Sequence, residues 1–239
     1  MKVNGIHIEP TNICTLKCPR CARTNFLETF TTKAWSNQNL DLETLKKFLD
    51  IDLKNVKVLL CGNYGDPIYY PDLFPMIQYF KNQKSNITLV TNGSYRKEIW
   101  WEELVSLLSE NDTIIFSVDG TPENFIQYRV NADWDSIYAG MRIVAKNNIN
   151  SIWKYIPFSF NENDILETKE LSQKIGLKKF IIEPSDRWES SNDTLMPKRK
   201  FENTRYESII HWKHKNGKNQ SINPKCFKGD QHFITSDGY

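Results

Sequence analysis

The sequence predicts an α/β fold with parallel strands, and three observations lead to this prediction. Short runs rich in β-branched and aromatic residues alternate with amphipathic, helix-like runs from residue 3 to about residue 185. The alternation repeats six times, which is typical of strands joined by right-handed crossover helices. Polar and glycine-containing strings follow the strands, where parallel α/β folds place their functional residues. These patterns fit either an open doubly wound sheet or a complete or partial barrel.

The six strand candidates are short and end in turn-forming residues such as Gly, Asn, Asp or Pro. They are residues 3–10, 56–62, 87–93, 113–120, 151–159 and 178–186. Because the carboxyl ends of parallel strands lie at the same edge of a sheet, we expect the loops after them to share one site.

Amphipathic runs between the strands predict five helices, over residues 40–50, 73–83, 97–110, 134–148 and 162–176. The first has its leucines and Phe48 on one stripe, as a helix that covers a core requires. The last ends at Gly176, a residue type that commonly terminates helices in the left-handed conformation.

The βα rhythm stops after residue 187, which divides the chain into a barrel region, 1–187, and a short irregular C-terminal extension, 188–239. The sequence pattern predicts one helix within the extension, over residues 201–213. The final residues are typical of a turn followed by half of a hairpin, and such a lone strand lacks a partner within the chain. We therefore expect residues 226–239 to be poorly ordered or paired onto a neighbouring molecule.

Composition limits the functional classes. Charged residues make up 25% of the chain and hydrophobic residues 39%, with a formal net charge of +2. This charge gives no broad basic field for nucleic acid. No run approaches the roughly 20 apolar residues of a membrane span, and the N-terminal string does not resemble a secretory signal. We therefore expect a cytoplasmic protein with reduced cysteines.

Three cysteines lie within eight residues, as CxxxCxxC directly after the first predicted strand: Cys14, Cys18 and Cys21. Three thiolates on one loop can hold three irons of a [4Fe–4S] cluster and leave the fourth iron open, whereas electron-carrying clusters normally have four protein ligands. A zinc site completed by Cys61, Cys226 or a histidine is the alternative, although zinc sites usually pair two CxxC-like units. For Cys61 itself, a buried structural thiol is the simpler interpretation.

The cysteine spacing, placed after the first strand of a six-fold βα repeat, resembles the radical S-adenosylmethionine (SAM) superfamily. The resemblance implies a partial (β/α)6 TIM-like barrel, a [4Fe–4S] cluster on the cysteine triplet, and SAM as the second cofactor. The string EPTNICTLKCPRC is similar to members with a C-terminal SPASM or twitch extension. CFKGDQHFITSDGY resembles the opening of that extension, so we expect the chain to be a fragment truncated at its C-terminus.

The family has a Gly-Gly-Glu-Pro-like string after its second strand, which binds the amino group of SAM. Here the matching residues are Tyr64, Gly65, Asp66 and Pro67. Tyr replaces the first glycine and Asp replaces the glutamate. Asp66 keeps a carboxylate that can accept hydrogen bonds from an ammonium group, although its side chain is one methylene shorter.

Three further residues lie at positions near SAM in the family, and a fourth departs from the family pattern. Ser117, at the end of the fourth strand, matches a polar residue that contacts SAM, and Asn92 lies at the third strand's tip as a ribose or methionine contact. Arg129 matches an arginine that pairs with the SAM carboxylate, for which a guanidinium fork is well shaped. Arg20 replaces an aromatic residue that packs near adenine, and arginine can also stack on a purine.

The resemblance implies an enzyme of oxidoreductase or maturase type. Its cluster would cleave SAM reductively to a 5′-deoxyadenosyl radical that abstracts hydrogen from an unknown substrate, either a peptide or protein or a small molecule. It also implies an electron donor of flavodoxin or ferredoxin type. A non-enzymatic protein that carries zinc or an iron–sulfur cluster on the same triplet is the alternative.

Overall fold

Seven parallel strands form one sheet in the computed structural model, which describes residues 3–29, 35–202 and 231–236. Their order is β6-β5-β4-β3-β2-β1-β7, with β6 and β7 at the two edges, so the barrel is open. The strands are β1 (Gly5–Ile8), β2 (Lys57–Leu60), β3 (Asn86–Thr91), β4 (Thr113–Ser117), β5 (Asn150–Tyr155), β6 (Lys179–Ile182) and β7 (Gln231–Ile234).

The first six strands confirm the α/β prediction and all six strand candidates. Every observed strand is shorter than its predicted run, and β4, β5 and β6 each end three or four residues earlier than predicted. The residues that follow these strands leave the sheet as loops at its C-terminal edge. The partial-barrel architecture implied by the family resemblance is confirmed.

In the described ranges, six α-helices accompany the strands: α1 (Ala22–Thr29), α2 (Leu42–Phe48), α3 (Leu73–Asn82), α4 (Glu98–Ser106), α5 (Trp134–Lys146) and α6 (Ile165–Ile175). The side chain of Asp41 accepts a hydrogen bond from the backbone N–H of Thr44 at the start of α2, and Asp133 does the same for Ser136 in α5. These caps satisfy donors that a helix N-terminus leaves free. Gly176 ends α6 with φ of +97°, as predicted.

Two elements were not predicted. Helix α1 follows the third cysteine directly, in a stretch whose apolar residues form no clear helical stripe. Strand β7 pairs in parallel with β1, with Gly5 opposite Gln231 and Ile8 opposite Ile234. The expectation that this strand lacks a partner within the chain is therefore wrong for residues 231–234. Most of the predicted helix 201–213, together with Cys226, lies outside the described residues.

The main core lies between the sheet and the helices that cover its outer face. Buried residues alternate along β3 and β5, so that one face of each strand packs against helices. The largest buried side chains of this core include Trp101 in α4, Phe116 in β4 and Trp153 in β5. The opposite face of the sheet is left to line a cavity.

Residues 188–202 carry no helix or strand and lie against the C-terminal edge of the sheet. The backbone N–H of Ser159 donates to the carbonyl of Leu195 at 3.0 Å. Trp188 packs edge-on against Phe158, which belongs to a small apolar cluster beneath the cysteine loop. The segment thus continues the wall of the cavity beyond β6.

Among the described residues, no helix is both long enough and apolar enough to cross a membrane.

Helices α4 and α5 meet at Gly140, where a larger residue has no room. A Cβ atom on Gly140 would lie 2.5 Å from Cε2 of Trp101, whose ring is fully buried. Alanine normally stabilises a helix by about 1 kcal/mol relative to glycine. We expect Gly140→Ala to destabilise the protein by about 1–3 kcal/mol instead, because the core is overpacked.

Urea unfolding of the apoprotein measures this change. Arg142→Ala, at an exposed position on α5, is the control and should stay within about 0.5 kcal/mol of the wild type. A stabilised Gly140→Ala variant would show that α4 and α5 are farther apart than described.

Candidate active site

A cavity of about 370 Å³ opens at the C-terminal ends of the strands. Nine of the residues that the sequence singled out for the cluster or for SAM line it: Cys14, Cys18, Cys21, Tyr64, Gly65, Asp66, Asn92, Ser117 and Arg129. The far wall comes from β5 and from the loop after β6, with Lys154, Ile156 and residues 183–187. Residues from six strands, or from the loops after them, therefore meet at one site, as the parallel sheet requires.

The cysteine loop is fixed at its start by Thr11 and Asn12. Thr11 Oγ1 donates to the carbonyl of Gln38 at 3.1 Å, and Asn12 Nδ2 donates to the carbonyl of Ser36 at 2.9 Å. The backbone N–H of Gln38 donates back to Asn12 Oδ1 at 2.7 Å. These bonds tie the chain after β1 to the segment before α2, so the loop leaves the sheet in one direction.

The three cysteines carry thiols that no disulfide uses. Cys18 is buried, while Cys14 and Cys21 are half-buried. Burial raises the pKa of the Cys14 thiol to about 12 and that of Cys18 to about 11. Cys21 precedes α1, and its carbonyl accepts a hydrogen bond from the N–H of Asn25.

The loop after β2 lies directly on the cysteine loop because it contains glycine at the contact. A Cβ atom on Gly65 would lie 2.0 Å from the carbonyl oxygen of Thr11. The next residue, Asp66, donates its N–H to the carbonyl of Ile13 at 2.9 Å. Gly65 thus allows a backbone approach that any other residue would block.

Asp66 joins the loop after β2 to the tip of β3. Its Oδ2 accepts hydrogen bonds from the backbone N–H and the Nδ2 of Asn92, each at 2.6 Å, and its Oδ1 accepts from the N–H of Ile68 at 3.2 Å. Burial raises the pKa of this carboxyl, against the effect of these donors. Asn92 Nδ2 also lies 3.7 Å from Cys14 Sγ.

Arg129 is held by a carboxylate that sequence reasoning did not assign to it. Its Nε and Nη2 contact Asp119 Oδ2 at 2.7 and 2.6 Å. Burial acts to lower the pKa of Arg129, but the charge and hydrogen bond of Asp119, together with the nearby Cys18 and Tyr128, raise this pKa overall. Asp119 Oδ1 also accepts from the N–H of Ile156 at 2.8 Å, linking β4 to the end of β5. In the sequence, the position of Asp119 in the string SVDG was the only signal that it could belong to the site.

Ser117 and Tyr64 both line the cavity but differ in how far they are buried. Ser117 is buried, and its Oγ has no hydrogen-bond partner in the described part of the chain. A buried hydroxyl without a partner is rare and needs an explanation. Tyr64 is largely exposed, and its ring lies 5.8 Å from that of Trp35.

Arg20, considered above for adenine stacking, forms two ion pairs with the segment after β6. Its Nε contacts Asp193 Oδ2 at 2.9 Å, and its Nη1 contacts Glu189 Oε1 at 2.8 Å. The hydrogen bond from Arg20 is the largest of the interactions that lower the pKa of Asp193 to about 2. Arg20 therefore fastens residues 188–202 to the cysteine loop.

Within ranges 3–29, 35–202 and 231–236, no three His, Cys, Asp or Glu side chains gather closely enough to hold a single metal ion. Cys61 lines the same cavity as the triplet. The other candidate zinc ligands, Cys226 and the two histidines at 211 and 214, lie outside the described residues.

Comparison with known proteins gives one family and several relatives. The family model described as the radical SAM superfamily matches residues 8–171, which is more than half of the chain. An AdoMet-dependent heme synthase from Methanosarcina barkeri is 24% identical over 232 residues, a match that covers 94% of this chain and 62% of that protein.

Two solved structures show the same fold. SuiB from Streptococcus suis bound to S-adenosylmethionine superposes with a TM-score of 0.63 at 16% identity, covering 98% of this chain and 50% of SuiB. The structure of anSMEcpe with bound AdoMet and Cp18Cys peptide gives a TM-score of 0.57 at 16% identity, covering 75% of this chain and 50% of that chain. The chain thus spans about half to two thirds of these relatives.

The family match begins at Ile8, the last residue of β1, and includes the cysteine loop and strands β2 to β5. It agrees with the open parallel sheet and with the gathering of cysteines and polar residues at its C-terminal edge. The chain belongs to the radical SAM superfamily, whose enzymes use a [4Fe–4S] cluster and SAM.

Proposed function

We propose that this chain binds a [4Fe–4S] cluster through Cys14, Cys18 and Cys21, binds SAM beside it, and modifies a peptide by hydrogen abstraction. One observation carries the proposal. Cys14, Cys18 and Cys21 line the same cavity as Ser117, whose hydroxyl has no hydrogen-bond partner among the described residues.

The chemistry of the donor set fits the cluster. Thiolates are the usual ligands of iron–sulfur clusters, and metal binding deprotonates a coordinating thiol, which offsets the raised pKa of Cys14 and Cys18. A single zinc ion needs its ligands around one point, and the described residues offer no such group. In a cubane each thiolate binds a separate iron, so its ligands lie farther apart.

The residues opposite the cysteines suit SAM. Ser117 Oγ has a hydrogen bond to give, and Arg129 is kept charged by Asp119 at the cavity wall, near where a carboxylate would lie. Asp66 is already committed to Asn92 and Ile68, so we infer that it orients Asn92 and the loop after β2, and adds negative charge near the ammonium of SAM. Tyr64 and Gly65 form the rim and the close backbone contact of that loop.

A reduced cluster held by Cys14, Cys18 and Cys21 would, together with SAM, supply one-electron radical chemistry for hydrogen abstraction. The residues of this chain orient the cofactors and limit water, since Leu16, Tyr128 and Ile156 give the cavity apolar walls. We propose a peptide substrate, and so a maturase-type oxidoreductase, because anSMEcpe was solved with a peptide and AdoMet. A flavodoxin or ferredoxin is the proposed electron donor.

The non-enzymatic metal carrier has no observation in its favour. Membership of an enzyme superfamily and a polar cavity beside the cysteines both favour catalysis.

Cysteine substitution tests the metal site. Cys18→Ala should lose the [4Fe–4S] cluster after anaerobic reconstitution with iron and sulfide, because two remaining thiolates are too few. Bound iron, bound sulfide and the electron paramagnetic resonance spectrum of the reduced protein measure the outcome. Addition of SAM should change the wild-type spectrum.

Cys61→Ala is the matched control, since Cys61 lines the same cavity outside the triplet. It should keep the cluster. Equal loss of iron from both variants, or zinc as the metal that the wild type retains under anaerobic conditions, would contradict the assignment.

Ser117→Ala tests the proposed SAM contact, because it should affect protein stability and SAM affinity in opposite directions. Removing a buried hydroxyl that has no partner should leave the apoprotein as stable as the wild type or more stable by up to about 1 kcal/mol. The same change should weaken SAM binding by about 0.5–1.5 kcal/mol, the usual contribution of one hydrogen bond. Urea unfolding and SAM titration measure the two effects.

Ser94→Ala is the comparison for this pair of measurements. Ser94 is fully buried, and its Oγ accepts a hydrogen bond from the N–H of Asp133. The Ser94→Ala variant should therefore be less stable than the wild type and keep the wild-type affinity for SAM. An unchanged SAM affinity in Ser117→Ala would remove Ser117 from the cofactor site.

A further inference from the structure

One charged pair in the cavity has no role in the function proposed above. Lys154 lies in β5 and lines the cavity, as does Ile156 just after the strand, while Trp153 and Tyr155 on the opposite face of β5 are buried in the main core. Glu183 follows the end of β6, and its N–H donates to the carbonyl of Tyr155 at 2.9 Å. Lysine is rarely placed at such a partly buried position without a partner.

The ion pair that Lys154 forms does not include a hydrogen bond. Lys154 Nζ lies 3.7 Å from Glu183 Oε2, which is too long for a hydrogen bond. Lys81 provides a comparison within the same molecule: its side chain is 20% exposed, as is that of Lys154, but its Nζ lies 2.5 Å from Asp112. Among residues that the structure describes, Lys154 Nζ makes no other polar contact.

Lys154 is not among the residues assigned above to SAM, although it is the register partner of Ser117 on the neighbouring strand. The residues assigned to SAM follow β2 and β3, end β4, or lie between β4 and α5. Lys154 lies on β5, next to the loop after β6, at the wall of the cavity to which no cofactor residue is assigned. We therefore assign it to the substrate.

We propose that Lys154 binds a carboxylate of the substrate, and that Glu183 holds the ammonium group toward the cavity. The proposal rests on the function proposed above and names the substrate class, namely a peptide with an acidic side chain at the reacting site. A carboxylate can complete the donors of Lys154 with charge-assisted hydrogen bonds of about 2.7–2.9 Å. Arg187 lines the same wall with a second positive charge.

Two blocked tripeptides probe this site: N-acetyl-Gly-Glu-Gly-amide and the same peptide with glutamine in place of glutamate. They differ only in the charge of one side chain. Each is titrated into the holoenzyme, loaded with cluster and SAM, and binding is measured by calorimetry. The wild type should bind the acidic peptide about tenfold more tightly or better, as a charge-assisted hydrogen bond predicts.

Variants at three positions test which residue is responsible for the preference for the acidic peptide. Lys154→Met should bind both peptides equally, with unchanged SAM affinity. Glu183→Gln should bind the acidic peptide at least as tightly as the wild type, because it removes a like charge from the site. Lys179→Met, an exposed position on the adjacent strand, removes the same charge outside the cavity and should keep the preference. If Lys154→Met does not fold, Lys154→Met/Glu183→Gln removes both charges together and should also bind both peptides equally.

Several results would overturn the proposal. The first is that the wild type binds both peptides equally or binds neither. The second is that Lys154→Met or the double variant keeps the preference for the acidic peptide, or that Glu183→Gln loses as much affinity for this peptide as Lys154→Met does. The third is weakened SAM binding in Lys154→Met, which would place Lys154 at the cofactor. A wild type that assembles no cluster and binds no SAM would instead refute the proposed function, and this inference with it. Normal cofactor binding without a peptide preference would refute the Lys154 assignment alone.

Discussion

The contact on which the site depends is the one between Asp66 and Asn92. A buried carboxylate accepts hydrogen bonds from both the backbone and the side chain of one residue, and so it fixes the loop after β2 to the tip of β3. The same loop touches the cysteine loop through Gly65 and through the bond from Asp66 to Ile13. Three neighbouring strands therefore present their loops as one rigid surface.

Asp119 plays the corresponding part on the other side of the cavity. It holds Arg129 with one oxygen and the start of the loop after β5 with the other. Both carboxylates are buried, and both are satisfied by donors from a different strand or loop. A buried charge without such partners would be costly, so each carboxylate requires its neighbouring loop to be in place.

The sequence predicted the six strands and five of the helices because hydrophobic periodicity and turn residues are local signals. It also predicted that the loops after the strands would share one site, since parallel strands place their carboxyl ends at one edge of the sheet. Helix α1 and strand β7 were missed. The first has no clear apolar stripe, and the second is defined by a partner far away in the sequence. For the same reason, the pairing of Arg20 with Asp193 and of Arg129 with Asp119 could not be foreseen.

Strand β7 also bears on how the protein is made. Strand β1 lies between β2 and β7, and the N–H of Glu9, just before the cysteine loop, donates to the carbonyl of Ile234. During synthesis on the ribosome, β1 emerges first and β7 only after the other six strands. Until then β1 is an edge strand with free backbone groups, which favours mispairing. Closing so long a loop is also entropically slow. The scaffold beside the metal ligands is thus completed only at a late stage of folding.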